Sequence, residues 1–188
     1  MGSTYVSNLI LRVIEESESK NWEEAVMEWE IEDCDEDETC STSCICGKEN
    51  LKYLFTIRNK INDNELFPIG STCIKKFERQ DLDEETSLYE GMFRLLHAVE
   101  NDEFLSLSPK LFSRKLLFHL YKEGAFKPNR FNDFDGKNDY EFLLKMFNKR
   151  DKSSITSKQK GKITAVLLNS IKPFLEAKLT DKSLNWEG

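Results

Sequence analysis

Cys44-Ile-Cys46-Gly47 and Ile69-Gly-Ser-Thr-Cys73 are the two stretches that decide the fold of this 188-residue chain. Each carries cysteine close to glycine, where the chain is expected to turn through a backbone conformation that glycine favours. Between them, residues 51–57 alternate apolar and polar side chains, and residues 59–64 are typical of a turn. Two sulfur-bearing turns joined by a hairpin can hold one tetrahedral Zn²⁺. The pattern therefore predicts a structural zinc.

The fourth zinc ligand remains open at this point. The spacing favours Cys40, because Cys34 lies beyond an acidic run and would need a longer loop to return. Disulfides are the first alternative for these cysteines, but they need an oxidising compartment, and an odd count of five fits a complete set poorly. Reduced, unligated thiols are the second alternative. We take Cys40, Cys44, Cys46 and Cys73 as the predicted metal ligands.

Charge is distributed unevenly along the chain, whose formal net charge is −7. Residues 15–38 contain thirteen acidic residues and one lysine, a local net charge of −12. Residues 144–172 contain eight Lys or Arg and one Asp. Such a polarity can steer encounter with a charged partner, although both segments could also be ordinary solvated faces.

Apolar periodicity predicts an α+β fold. An N-terminal helix is followed by alternating strand patterns within residues 22–78 and by helical patterns thereafter. The sequence thus predicts a small antiparallel sheet clamped by zinc and a C-terminal helical body. The expected domains are residues 1–78 and residues 79–188. The acidic run at residues 33–38 is expected to be a linker. Ser108-Pro109 is expected to start one helix and Asp139 to cap another. Pro173 is expected to kink or shorten the last helix, and Thr156 with Gln159 to form a capping box.

Catalytic motifs are not found in the sequence. The two histidines, His97 and His119, lie near apolar helix stripes, where packing is the usual role. No nucleophile elbow, phosphate-binding glycine loop or zinc-protease motif occurs. A catalytic zinc would keep an open coordination position, whereas four cysteines can close the shell. We therefore expect a protein that is not an enzyme.

Nucleic-acid binding is the main alternative function. The basic residues of segment 144–172 could track phosphates, which would suit an accessory protein of phage DNA metabolism. Aromatic side chains are not interleaved with them as on a base-stacking surface, and the sequence pI is about 5.1. Direct nucleic-acid binding is therefore the less favoured expectation. The sequence shows no signal peptide and no apolar run long enough for a membrane span, so no membrane partner is expected.

The block formed by residues 44–47, 51–59 and 69–77 resembles a zinc-binding module found in proteins of phages and prophages. Residues 111–117 and 146–150 also resemble prophage sequences of low-GC Gram-positive hosts. The resemblance matches Cys44, Cys46 and Cys73 residue by residue, and it implies a cytoplasmic protein in a bacterial host cell.

A small acidic protein with a structural zinc is also similar to the zinc-containing type II-A anti-CRISPR inhibitors. That resemblance implies binding to the RNA-guided type II-A effector nuclease, with the nuclease recognition lobe as one possible surface. Inhibition would follow from blocking target-DNA loading, without chemistry, and we expect the protein to act as a monomer. The acidic segment at residues 15–38 would be attracted to the basic channel of such a nuclease.

Overall fold

The computed structural model describes residues 4–102 and 107–180 and confirms the predicted α+β class. The chain divides into two compact units, the first ending at Tyr89 and the second beginning at Glu90. This division falls inside helix α4, Gln80–Glu100, whereas the sequence predicted a boundary between residues 78 and 79.

The first unit combines short helices with one three-stranded antiparallel sheet of strand order β1-β2-β3. Its elements are helix α1 (Thr4–Glu16), helix α2 (Trp22–Ala25), strand β1 (Trp29–Glu36), strand β2 (Tyr53–Asn59), strand β3 (Glu65–Ile69), helix α3 (Ser71–Ile74) and the beginning of α4. Short 3₁₀ turns at Val26–Glu28 and Lys75–Phe77 follow α2 and α3.

A β-bulge explains why the predicted acidic linker is part of a strand. Ile31 pairs with Ile57 but Asp33 pairs with Thr56, so Glu32 is an extra residue on β1. The extra residue changes which side chains face the core, so Ile31 and Cys34 are both buried although they are three residues apart. A strict two-residue alternation ends at Ile31, and the sequence pattern therefore ended the strand too early.

Helix α1 packs into the core of the first unit through its apolar stripe, in which Leu9 and Val13 are buried. The fully buried Trp29 donates its indole N–H to Ser17 Oγ at 2.9 Å, and Ser17 donates to the Val13 carbonyl at 2.7 Å. The indole hydrogen bond satisfies a polar group that burial would otherwise leave unpaired. The end of α1 is thereby tied to the start of β1.

The second unit is helical in the part that the structure describes. It contains the remainder of α4, followed by helix α5 (Arg114–Lys122), helix α6 (Gly136–Asn148), a 3₁₀ turn (Lys152–Ser154), helix α7 (Ser157–Val166), a π-helical segment (Leu167–Ile171) and helix α8 (Lys172–Leu179). The capping box of Thr156 and Gln159 is confirmed at the start of α7. The π-helical segment ends two residues before Pro173, which has no N–H to continue a regular helical ladder.

Two helix starts differ from the sequence prediction. Helix α5 begins after Ser113, which accepts a hydrogen bond from Leu116 N, rather than at Ser108-Pro109. Helix α6 begins after Asp135, and Asp139, the predicted cap, is instead a buried residue of the first turn. Its carboxylate accepts a hydrogen bond from Asn132 Nδ2 at 2.7 Å and pairs with Lys162 at 3.3 Å. These tertiary partners take the carboxylate away from the capping role.

Candidate metal centre

Cys44 and Cys46 lie in a tight turn that glycine makes possible. Gly47 has a φ of +92°, and its N–H donates to the Cys44 carbonyl at 2.7 Å. Cys44 N in turn donates to Lys48 O at 2.8 Å. The conformation is one that a residue with a Cβ adopts at a cost, which supports the predicted role of Gly47. Ile45 N donates to the Pro68 carbonyl at 2.9 Å, which ties this turn to strand β3.

Cys73 enters the site from the short helix α3. Its N–H donates to the Gly70 carbonyl at 2.8 Å. Gly70 has an ordinary φ of −81°, so the prediction that it needs positive φ is wrong. A Cβ there would lie 2.8 Å from Leu51 Cδ2, so a larger residue would require the Leu51 side chain to shift.

The sulfur atoms of Cys44, Cys46 and Cys73 form a compact buried triangle. Cys73 Sγ lies 3.6 Å from Cys44 Sγ and 3.4 Å from Cys46 Sγ, and all three sulfurs lie within 4.8 Å of one another. These separations are far longer than the ~2.05 Å of a disulfide. They approach the ~3.8 Å between two sulfurs of a tetrahedral site with metal–sulfur bonds of about 2.3 Å. The three cysteines therefore form a candidate metal site.

Backbone N–H groups point at two of the sulfurs. Gly70 N lies 3.4 Å from Cys44 Sγ, and Lys48 N lies 3.5 Å from Cys46 Sγ. The close approach of Cys73 lowers the pKa of Cys44 and, reciprocally, raises the pKa of Cys73. Without a cation, ionisation of one sulfur therefore opposes ionisation of its neighbour. A divalent cation would remove that repulsion and allow all three to bind as thiolates.

The structure does not bring Cys40 into this cluster. Among the described residues, neither Cys40 nor Cys34 has its sulfur within 4.8 Å of all three sulfurs of Cys44, Cys46 and Cys73. Cys40 is half-buried and has a φ of +51°. Cys34 is fully buried in β1, with its Sγ 3.6 Å from the Asp35 carbonyl.

Asp37 organises the loop that carries Cys40, a role that the sequence reasoning missed. Its carboxylate accepts hydrogen bonds from the N–H and hydroxyl groups of Thr39, Ser41 and Thr42, at distances from 2.6 to 3.2 Å. The hydroxyls of Thr39 and Thr42 hold the pKa of Asp37 well below its usual range. The available signal was the cluster of short hydroxyl side chains directly after an Asp, which is typical of a side-chain-capped turn.

Two cavities border the candidate metal site. The larger, of about 460 Å³, is lined by Cys46 and Cys73 together with α1 residues and the charged or polar side chains of Lys48, Glu49, Asn50, Thr72 and Lys76. The smaller, of about 170 Å³, is lined by Cys44 and Cys73 on its sulfur side. Helix α1 covers the first turn, since Asn8 Nδ2 donates to the Cys46 carbonyl at 3.1 Å.

Comparison of the chain with models of known protein families, with curated proteins and with solved structures finds no match. No helix in the described ranges has both the length and the apolar content that crossing a membrane would require.

Proposed function

We propose that Cys44, Cys46 and Cys73 bind Zn²⁺ and that this zinc stabilises the first unit. Thiolates are soft ligands that favour zinc over the hard cations of oxygen sites. The ligands come from two turns separated by the β2–β3 hairpin, so one ion links parts of the chain 27 residues apart. Because such a site exists only in the folded chain, the free energy of zinc binding contributes to folding.

We further propose that the protein acts by binding, as an inhibitor of the RNA-guided type II-A CRISPR nuclease that blocks target-DNA loading. The observation that carries this proposal is the display of carboxylates on the first unit. Seven side chains of the acidic segment, residues 15–38, are solvent-exposed: Glu15, Glu18, Glu23, Glu24, Glu30, Glu32 and Glu38. A nuclease channel that holds a guide–target heteroduplex is strongly basic and offers a complementary surface.

Not every acidic residue of this segment is free to meet a partner. Glu28 is buried and accepts backbone hydrogen bonds, and the Asp37 carboxylate holds the Cys40 loop. Glu32 pairs with Arg58 at 3.2 Å. The exposed Glu23 and Glu30 are better candidates for partner contact. Electrostatic complementarity of this kind raises the association rate and the specificity more than the affinity.

The order of addition in a guided DNA-cleavage assay tests the proposed mechanism. The protein is mixed with the guide-loaded nuclease either before or after target DNA. We expect strong inhibition on early addition and little on late addition, because loaded DNA would already occupy the surface. Absence of inhibition across several nuclease orthologues would overturn the proposal.

Arg58 provides a matched pair of variants for the acidic segment. Its Cα is paired with Glu30 on β1 and with Glu65 on β3, and both glutamates are exposed. Glu30→Lys and Glu65→Lys therefore make the same charge change beside the same arginine, on opposite edges of the sheet. We expect Glu30→Lys to slow association with the nuclease several-fold and Glu65→Lys to have a smaller effect. Equal effects of the two variants would indicate that the net charge of the protein, rather than the acidic segment, controls the association rate.

Nucleic-acid binding through residues 144–172 is less well supported as the function. Lys152 Nζ donates to the carbonyls of Met146 and Phe147 at the end of α6, and Lys162 pairs with the buried Asp139. Lys149 Nζ donates to Ser154 O at 3.2 Å and to Gln159 Oε1 at 3.3 Å, and Lys172 pairs with Glu176. Half of the eight basic residues thus have contacts within the unit. Salt-dependent DNA binding that Lys158→Glu/Lys160→Glu abolishes would favour the alternative.

A further inference from the structure

The three sulfurs supply three corners of a tetrahedral site. In the described ranges, no additional His, Cys or carboxylate ligand atom lies within 4.8 Å of all three. A structural zinc usually has four protein ligands, whereas a site with three keeps one position for an external ligand. The cluster therefore has the ligand count of an open site.

The loop that carries Cys40 is held by hydrogen bonds of its own. Cys40 N donates to the Asp37 carbonyl at 3.1 Å, and the Asp37 carboxylate then holds the two residues that follow, Ser41 and Thr42. The left-handed conformation of Cys40 itself belongs to this turn. These hydrogen bonds hold the backbone of the Cys40 loop in a conformation in which Cys40 is not part of the sulfur cluster.

The larger cavity is the space beside the sulfur cluster that an external ligand could occupy. It borders both Cys46 and Cys73, and its volume of about 460 Å³ exceeds what one or two water molecules need. The charged side chains that line it are Lys48, Lys76 and Glu49. Apart from the cysteines, the lining therefore carries a net positive charge. Zinc with three thiolates carries one net negative charge, and a fourth thiolate would add another. The two lysines can offset that charge.

We propose that the zinc site takes its fourth ligand from outside the chain, as a small-molecule thiolate bound in this cavity. On binding, the thiol loses its S–H proton to the buffer, a metal–sulfur bond forms, and the water at the fourth position leaves. The inference rests on the proposed zinc site, but not on the proposed nuclease partner. Bound zinc would then stabilise the fold and also make the first unit responsive to thiols.

Cobalt substitution of the full chain tests the fourth ligand directly. Co²⁺ takes the place of Zn²⁺, and its thiolate charge-transfer and visible d–d absorption report the number of sulfur ligands. The protein is loaded in thiol-free buffer and titrated with 2-mercaptoethanol. We expect a saturable change in the d–d bands and an increase of about one third in charge-transfer intensity, as three thiolates become four. Cys40→Ser should behave like the wild type.

Two neighbouring lysines provide the matched control for the cavity. Lys76 lines the cavity, whereas Lys75, which is also exposed, is not among its lining residues. We expect Lys76→Gln to raise the thiol concentration at half-saturation several-fold and Lys75→Gln to leave it unchanged. Equal effects of the two variants would show that thiol binding does not depend on the cavity.

Other outcomes separate this inference from the proposed zinc site. A four-thiolate spectrum before thiol is added, reduced by about a quarter in Cys40→Ser, would identify Cys40 as the ligand and overturn the inference. A three-thiolate spectrum that does not respond to thiol would also overturn it. Failure of the chain to bind either cobalt or zinc would overturn the zinc site itself.

Discussion

Asn59 Nδ2 donates a hydrogen bond of 2.6 Å to Glu28 Oε2, joining two residues that are 31 positions apart. The same carboxylate accepts the backbone N–H groups of Glu18, at 2.9 Å, and Ser19, at 2.8 Å. Burial opposes ionisation of Glu28, but these hydrogen bonds outweigh it and lower the pKa of the carboxyl. One buried charge thus connects the end of α1, the start of β1 and the end of β2.

Glu28→Ala should destabilise the first unit, because it leaves three donors without their acceptor. Hydrogen bonds to charged groups contribute about 1.5–3 kcal/mol, so we expect a loss of about 2–3 kcal/mol in the free energy of unfolding. Urea unfolding followed by tryptophan fluorescence measures it. The control is Glu23→Ala, an exposed residue of the same acidic segment, which should change stability by less than about 0.5 kcal/mol. Similar losses in both variants would contradict the structural role of Glu28.

Removal of the metal should unfold the first unit more than the second. We expect chelation, or the variant Cys46→Ser, to lower the stability of residues 29–77 by several kcal/mol, since zinc binding is coupled to folding. Metal content by elemental mass spectrometry and hydrogen exchange resolved by peptide check this. Unchanged zinc content and exchange in both Cys46→Ser and Cys73→Ser would show that these sulfurs hold no structural metal.

Local patterns predicted the fold class and the three clustered cysteines, because both depend on neighbouring residues. The alternation of Leu51, Tyr53, Phe55 and Ile57 corresponds to β2, and Cys44, Cys46 and Cys73 meet as their spacing suggested. The incorrect predictions concern features that depend on contacts between residues distant in the sequence, or on local geometry that the pattern does not reveal. Asp139 resembled a cap until Asn132 and Lys162 proved to be its partners. The conformation of the loop that carries Cys40 depends on the hydrogen bonds of Asp37, which spacing alone does not reveal.

Two glycines that look alike in the sequence should respond oppositely to alanine. A Cβ on Gly136 would lie 1.9 Å from the backbone oxygen of Phe126, whereas one on Gly161 would meet nothing within 4 Å. Gly136→Ala should therefore displace backbone and lower stability by about 3 kcal/mol or more. Gly161→Ala, inside α7, should raise stability by about 0.5–1 kcal/mol. Thermal unfolding followed by far-ultraviolet circular dichroism compares them, and a stable Gly136→Ala variant would contradict the close contact with Phe126.

His119 should make the second unit less stable in mildly acidic solution. Its Nε2 is buried without a hydrogen-bond partner among the described residues. Burial, with a smaller contribution from Lys178, lowers the pKa of His119 below its ordinary value of 6.5, and Glu123 only partly opposes this. At pH values well above 6.5, His119 is therefore neutral in both the folded and the unfolded chain. Below that pH the unfolded chain takes up a proton more readily, so stability falls as pH decreases.

The variant His119→Gln separates this effect from other titrating groups. Lys178 Nζ lies 2.7 Å from Glu123 Oε2, and this ion pair lowers the pKa of Glu123, so the glutamate titrates below the range of interest. Urea unfolding of the second unit is monitored by hydrogen exchange between pH 5 and pH 8. In the wild type, the stability of this unit should decrease as the pH decreases. The loss should be smaller in His119→Gln. An identical pH dependence in both proteins would show that another group is responsible, because glutamine cannot titrate in this range.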